Sequence, residues 1–216
     1  MKSFRKWTIA DVDDEFQLQQ QRKSELLESW LEGIPQDVAD KTIFPPAYLQ
    51  RLQARLNLRV HDWNESELKM KFIAQLLDLV DFDQEHYQSF IERTISAPYK
   101  DGLSGDVDFL VAKGTRVPKQ PYFFLHEHKK DADSSGDPLG QLMIAMVTAQ
   151  MINETTHPIY GAYVVGRHWY FVVLDDKEYA VSPAYDATQE KLDDIIRILR
   201  NTKAIIAQLA NPTVST

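Results

Sequence analysis

The chain has 216 residues, no cysteine and a formal net charge of −8, from 24 basic and 32 acidic residues. Without cysteine, a disulfide framework, a thiolate zinc site and a thiol nucleophile are all excluded, and a cytoplasmic location is favoured. The acidic balance argues against a protein that coats nucleic acid by general attraction, so any contact with nucleic acid must be local.

The N-terminal segment predicts neither export nor membrane insertion. Residues 1–33 contain charges throughout and no apolar run of signal-peptide length. No other stretch approaches the roughly 18 apolar residues that are needed to span a bilayer. The length and the 44% hydrophobic content predict one packed domain over residues 1–216.

Helical patterns fill the first part of the chain. An amphipathic helix is predicted over Asp14–Gly33, where apolar residues recur at helical spacing. Pro45 and Pro46 open a second helical stretch. We expect residues 1–60 to form a helical cover for the rest of the domain.

A third helix is predicted from Asn64 to Val80. Asn64 and Glu67 have the spacing of a capping box, and the apolar residues after them repeat like the buried stripe of a helix. Three β-rich segments follow and predict an antiparallel meander: Ser89–Ser96, Asp106–Ala112 and Tyr122–Lys129.

The second half of the chain alternates helix, strands and helix. Asp137 and Pro138 predict the N-cap and first turn of a helix that continues to Ile152 and is apolar on nearly every side, as in a helix packed on a sheet. Further strands are predicted at Ile159–Val165, Trp169–Leu174 and, more briefly, Tyr179–Val181. An amphipathic helix over residues 189–209 closes the chain.

Two of the predicted strands carry a group of charged residues. Asp106 and Asp108 lie at the start of the second strand, and Glu127 and Lys129 lie at the end of the third. Because side chains alternate along a strand, Glu127 and Lys129 share one face, and cross-strand neighbours about 5 Å apart bring Asp108 to them. The alternative without a function is a cross-strand ion pair on a solvated face of the sheet.

This group has the chemistry of a magnesium site. Mg²⁺ prefers one or two carboxylates together with waters and phosphate oxygens, so Asp108 and Glu127 can hold it. Lys129 then orients a water or stabilises a charged phosphate, as cleavage of a phosphodiester requires. Asp106 remains an alternative to Asp108, since both lie on the same strand face.

Two predicted helices offer further members of the site. On the wheel of the helix from Asn64, Glu65 falls within the buried stripe, whereas Glu67 points away and serves the capping box. Glu65 is therefore favoured over Glu67 as a third metal ligand. Gln141, in the first turn of the buried helix, is a candidate to touch a metal-bound water or the phosphate.

Histidines flank Glu127 but do not predict a zinc site. Alternation directs His126 and His128 toward the opposite sheet face from Glu127, and the HExxH helix spacing is absent. Both are interpreted as packed or surface histidines.

The strand pair with GDVD at residues 105–108 and EHK at residues 127–129 resembles the signature of the PD-(D/E)xK superfamily of restriction-endonuclease-like enzymes. The inferred order of helix, three-strand meander, buried helix and strand, over residues 64–175, is similar to the core of that superfamily. Val107 stands where the family often has proline.

The resemblance implies an α/β fold with a restriction-endonuclease-like core (α-β-β-β-α-β) and a mixed central sheet, with extra N-terminal helices and a C-terminal helix. It also implies Asp108 and Glu127 as metal ligands, Lys129 as catalytic lysine, and Mg²⁺ or Mn²⁺ as cofactor. The sequence is also similar to small bacterial proteins of this type, some of which resemble the nuclease part of type I restriction subunits. This similarity implies a nuclease that acts on nucleic acid, with DNA favoured, in restriction, defence or repair. A homodimer or a larger restriction-type complex fits this family, and a non-catalytic binding or assembly module that retains the fold is the alternative.

Overall fold

The computed structural model describes residues 2–34, 46–100, 102–128, 136–153, 157–189 and 191–211, and gives the backbone alone at Glu127 and His128. The helices in these ranges are α1 (Ile9–Phe16), α2 (Glu25–Glu32), α3 (Pro46–Arg59), α4 (Glu65–Leu68), α5 (Ala74–Val80), α6 (Pro138–Ile152) and α7 (Lys191–Ala210). A π-helical segment, Lys69–Ile73, joins α4 to α5, and a 3₁₀ turn covers Phe4–Lys6. The strands are β1 (Gln19–Gln20), β2 (Gln88–Ala97), β3 (Leu103–Lys113), β4 (Gln120–His128), β5 (Ile159–Val165), β6 (His168–Asp175), β7 (Glu178–Val181) and β8 (Tyr185–Asp186).

These strands form one mixed sheet in the order β1-β7-β6-β5-β4-β3-β2, with β8 paired to β6 outside this path. Strands β2, β3 and β4 make the predicted antiparallel meander. The chain then crosses through α6, and β5 returns parallel to β4. The expected α/β class with a mixed central sheet and a C-terminal helix is confirmed.

Helices cover both faces of the sheet. On one face, α1 and α6 enclose a core cluster that contains Phe124 of β4. On the other face, α2, α3, α4–α5 and α7 enclose a second cluster that contains Phe123 and Leu125 of the same strand. Successive residues of β4 enter opposite clusters because side chains alternate along a strand. Across the described ranges, no helix combines the length and apolar composition needed to cross a membrane.

The single helix predicted over Asp14–Gly33 is wrong. Gln17 adopts a left-handed conformation with φ 56° and ends α1. The chain then pairs with β7, where the Gln19 amide donates to the carbonyl of Lys177 at 2.8 Å. Ser24 caps a separate helix, α2. The polar periodicity that suggests one helix thus spans two short helices and a two-residue strand.

The helix predicted from Asn64 to Val80 is confirmed, with one irregularity. Asn64 and Glu67 make the capping box: the Glu67 amide donates to the Asn64 side chain at 2.9 Å, and the Asn64 amide donates to the Glu67 carboxylate at 3.1 Å. The π-helical segment interrupts the regular hydrogen bonds in the middle. Such single wide turns occur frequently at functional sites.

One carboxylate caps two helices at the start of α6. Asp137 accepts from the Gly140 amide at 3.0 Å and, through its second oxygen, from the Ile9 amide at 2.6 Å. Gly140 permits this approach, since a Cβ there would lie 2.5 Å from the backbone carbon of Thr8. Asp137 therefore joins α1 to the N-terminus of α6.

Asp137→Ala is expected to lower the free energy of unfolding by about 2 kcal/mol, because two helix-terminal amides lose their acceptor. Asp137→Asn keeps one carbonyl acceptor and should recover part of the loss. Urea unfolding measures the change. Asp193→Ala, which removes an exposed carboxylate from the first turn of α7, is the matched control and should change stability by less than about 0.5 kcal/mol. Equal losses in the Asp137→Ala and Asp193→Ala proteins would contradict this account.

Candidate functional site

Three of the predicted site residues lie on elements that meet at one edge of the sheet. Because β4 and β5 are parallel, their carboxyl ends share an edge, and α6 begins at that edge. In open α/β sheets, this edge is the usual place for a binding crevice. Glu127 lies near the end of β4, Gln141 lies in the first turn of α6, and Asp108 lies on the neighbouring β3.

Asp108 is held from two directions. Phe109 pairs with Leu125, so Asp108 lies across from His126 on β4. One Asp108 oxygen is 2.5 Å from Nδ1 of His126, and the other accepts from Nζ of Lys69 at 3.3 Å. The Asp108 side chain is 23% exposed, which leaves part of the carboxylate open to solvent.

A kink in the β2–β3 ladder sets the direction of Asp108. Val107 enters the core cluster under α6, whereas Phe109, two residues later, enters the cluster on the opposite face. A regular strand would place both on one face. Glu92 lies opposite Asp108 on β2 and has a φ of 50°, a left-handed conformation that is costly for a residue with a Cβ. Alternation along β3 therefore shifts at Asp108.

His126 lies beside Asp108, although the sequence analysis predicted Asp108 on the face of Glu127 and both histidines on the other face. It is buried, with 8% of its surface exposed, and its Nδ1 contacts Asp108. The prediction assumed regular alternation, and the kink at Asp108 breaks that assumption. Nε2 of His126 is also buried and has no hydrogen-bond partner among the described residues. His126 is packed, as expected, but against a candidate site residue.

Lys69 is a site residue that the sequence analysis missed. It is the first residue of the π-helical segment, and its side chain is 23% exposed. Besides Asp108, its ammonium lies 3.9 Å from a Glu92 carboxylate oxygen. A signal was present in the sequence, because Lys69 follows Glu65 by four residues and helical neighbours at that spacing share a face.

The two acids proposed on the helix have different surroundings. Glu67 holds the capping box and forms an ion pair with Lys71 at 2.5 Å. The pKa of Glu67 is lowered by Lys71 and by the Asn64 amide. Glu65 is partly exposed in the first turn of α4. Among the described contacts, no hydrogen bond or ion pair joins Glu65 to Asp108.

The two acids proposed on β3 also differ. Asp106 is exposed and accepts a hydrogen bond of 2.5 Å from the hydroxyl of Thr94 on the neighbouring strand β2. Asp108 is partly buried and lies beside the end of β4. Of the two, Asp108 is the acid placed next to the strand that carries Glu127.

The remaining predicted residues are described to different extents. Gln141 is buried in α6 with 6% of its surface exposed. Glu127 pairs through its backbone with Val164 of β5, while its side chain and the whole of Lys129 lie outside the described residues. Among the side chains that are described, no three histidine, aspartate or glutamate residues form a group able to hold a metal ion.

Aromatic residues border His126 on the sheet. Tyr163 of β5 is its cross-strand partner and stacks on Tyr170 of β6, with ring centroids 4.6 Å apart and planes 7° from parallel. Burial, followed by the neighbouring Tyr170 and Asp137, raises the pKa of Tyr163 to about 12. Burial therefore disfavours the charged form of the Tyr163 hydroxyl even more than in an ordinary tyrosine.

No family model matches the chain, and no curated protein is found to match it.

The strain at Glu92 can be measured by comparing two substitutions that both remove the carboxylate. At a φ of 50°, Glu92→Gly should be more stable than Glu92→Ala by about 1 kcal/mol, because glycine has no Cβ to clash. Arg93, in the next position, is the control: there alanine should be more stable than glycine. Chemical denaturation of the four variants gives both differences, and the same order at both positions would show that the backbone at Glu92 is relaxed.

Proposed function

We propose that this protein is a metal-dependent nuclease that hydrolyses phosphodiester bonds of nucleic acid, with DNA as the favoured substrate. The observation that carries the proposal is the position of Asp108. It is a partly exposed carboxylate on β3, beside the end of β4, which carries Glu127 and leads to Lys129. Two acids and a lysine brought together there would suit phosphodiester hydrolysis.

The order of elements around Asp108 supports the same proposal. A helix precedes a three-strand antiparallel meander, and a buried helix leads to a strand parallel to the third. This agrees with the order that the resemblance to the PD-(D/E)xK superfamily implies. On this ground we propose a restriction-endonuclease-like core over residues 64–175.

The proposed ligands fit Mg²⁺ or Mn²⁺. Asp108, Glu127 and Glu65 offer the carboxylate oxygens that such hard cations prefer. A carboxylate oxygen can accept a hydrogen bond and still coordinate a cation, because it carries two lone pairs. These three side chains would hold the ion, which when bound lowers the pKa of a water and neutralises charge on the phosphate.

The other predicted residues have supporting roles. The Lys129 ammonium would orient the attacking water or stabilise the negative phosphate. The Gln141 amide would support the assembly from the first turn of α6, where its burial restricts its motion. We place this activity in the bacterial cytoplasm, in restriction, defence or repair, with a homodimer or a larger restriction-type complex as the working assembly.

Purified protein is expected to cut DNA with Mg²⁺ or Mn²⁺ and to lose this activity in a chelator. Asp108→Ala and Lys129→Ala should each slow cleavage by roughly a hundredfold or more, because a ligand or a charge-stabilising group is lost. Gel assays on DNA and RNA measure the rates. Asp106→Ala is the matched control on the same strand and should cut at the wild-type rate. Unchanged cleavage by the Asp108→Ala and Lys129→Ala proteins would assign the activity to a contaminant.

A non-catalytic binding or assembly module is the second candidate. Both Asp108 oxygens already have nitrogen partners, so the carboxylate is satisfied by the protein itself. An ordinary structural ion pair has the same geometry. In such a module, the resemblance would reflect the fold and not the activity.

Calorimetric titration with Mn²⁺ distinguishes the two candidates. The nuclease proposal expects one binding event in the wild-type protein that is lost in Glu127→Ala, since a carboxylate ligand is removed. Glu85→Ala, which removes an exposed acid, should bind as the wild type does. If the folded wild-type protein binds no Mn²⁺ at millimolar concentration, the non-catalytic module is favoured.

A further inference from the structure

Lys69 has surroundings that are unusual for a lysine. Lysine side chains are mostly exposed, yet this one is 23% exposed and points between two carboxylates on neighbouring strands. Asp108 is 3.3 Å from the ammonium and equally protected from solvent, whereas Glu92 is 3.9 Å away and 75% exposed. The closer and more buried contact is with Asp108.

Partial burial favours a compensating partner for the Asp108 charge. A carboxylate that has lost most of its contact with water needs compensating charge or hydrogen bonds. The ammonium of a lysine carries a full positive charge at neutral pH. Lys69 therefore supplies to Asp108 the kind of compensation that a divalent cation would supply.

An irregular part of the helix carries the Lys69 ammonium. Lys69 begins the π-helical segment, whose wide turn separates the capped first turn of α4 from the regular α5. On the sheet, the Lys69 side chain contacts Glu92 and Asp108, which lie opposite each other at the kink. Two local departures from regular structure thus coincide at one ion pair.

We propose that Lys69 is a positioning residue that compensates Asp108 while no metal is bound, and that it competes with the divalent cation for this carboxylate. The inference rests on the proposed metal-dependent function. A divalent ion on Asp108 either displaces the ammonium or is repelled by it, and both effects weaken metal binding. Glu92, on the solvent side, is the second carboxylate to which a displaced Lys69 can turn.

Removal of the Lys69 charge should therefore tighten metal binding. In Lys69→Met, the Kd for Mn²⁺ is expected to fall by roughly five- to tenfold, because the metal no longer breaks a charged hydrogen bond. Lys69→Gln keeps a donor of similar length without the charge, and it serves if the methionine variant folds poorly. A residue with a merely structural role would leave metal affinity unchanged or weaken it.

Lys203 provides a matched control. Its side chain is 25% exposed, and its ammonium lies 3.6 Å from an Asp81 oxygen. Asp81 is twelve residues beyond Lys69, about 18 Å along a helix. Lys203→Met removes one positive charge from a side chain that is buried to a similar extent, and it should leave the Kd for Mn²⁺ unchanged. In an Asp108→Asn background, Lys69→Met should also have little effect, because the effect acts through Asp108.

The experiment is calorimetric titration of the 216-residue chain and these variants with Mn²⁺, with circular dichroism to verify folding. Tighter binding in the Lys69 variants, with Lys203→Met unchanged, supports the inference. Wild-type binding that the Lys69 variants do not improve overturns the role of Lys69 and leaves the nuclease proposal standing. An equal fall of the Kd for Mn²⁺ in Lys203→Met would show that the effect comes from net charge alone and would overturn the inference. If neither the wild type nor any variant binds Mn²⁺, the metal site fails, and the inference fails with it.

Discussion

A carboxylate that has lost most of its contact with water needs neighbouring groups that stabilise its negative charge. At Asp108 these groups come from the sheet and from the helical layer that covers it. His126 reaches it across the sheet from β4, and Lys69 reaches it from the helix that covers the meander. The end of β4 and the middle of the α4–α5 helix are therefore coupled through one side chain. An unpaired buried charge is far more costly than an exposed one, so these two partners stabilise the Asp108 carboxylate. The kink opposite Glu92 and the π-helical segment lie at this point.

Most elements of the fold could be predicted because their signals are local. The helix from Asn64 carries its own capping box and apolar stripe, and the apolar strand β4 and the buried α6 differ clearly in length and period. The two-residue strands β1 and β8 have no such signal, since a partner elsewhere in the chain defines them. The break between α1 and α2 depends on Gln17 in a left-handed conformation and on pairing with β7, neither of which periodicity reveals.

The site shows the same division between local and non-local information. The sequence predicts Asp108 beside Glu127 and Lys129, and the register puts Asp108 on the neighbouring strand, opposite His126. The sequence does not show which groups Asp108 contacts, because the kink shifts the side-chain alternation on which such reasoning depends. Lys69 was visible only as a residue one helical turn after Glu65, and its contact needs the sheet and the helix together.

Charge balance explains why Lys69 would be compatible with the proposed metal site even though we propose that it competes with the metal. The three proposed carboxylates and one phosphodiester would carry four negative charges, whereas a divalent ion and Lys129 would supply only three positive ones. Lys69 is a nearby cation that would complete the balance once substrate is present. Before substrate arrives, the same ammonium would limit how firmly the ion is held. A site arranged in this way would gain affinity for the metal and the phosphate together, because each removes the repulsion that opposes the other.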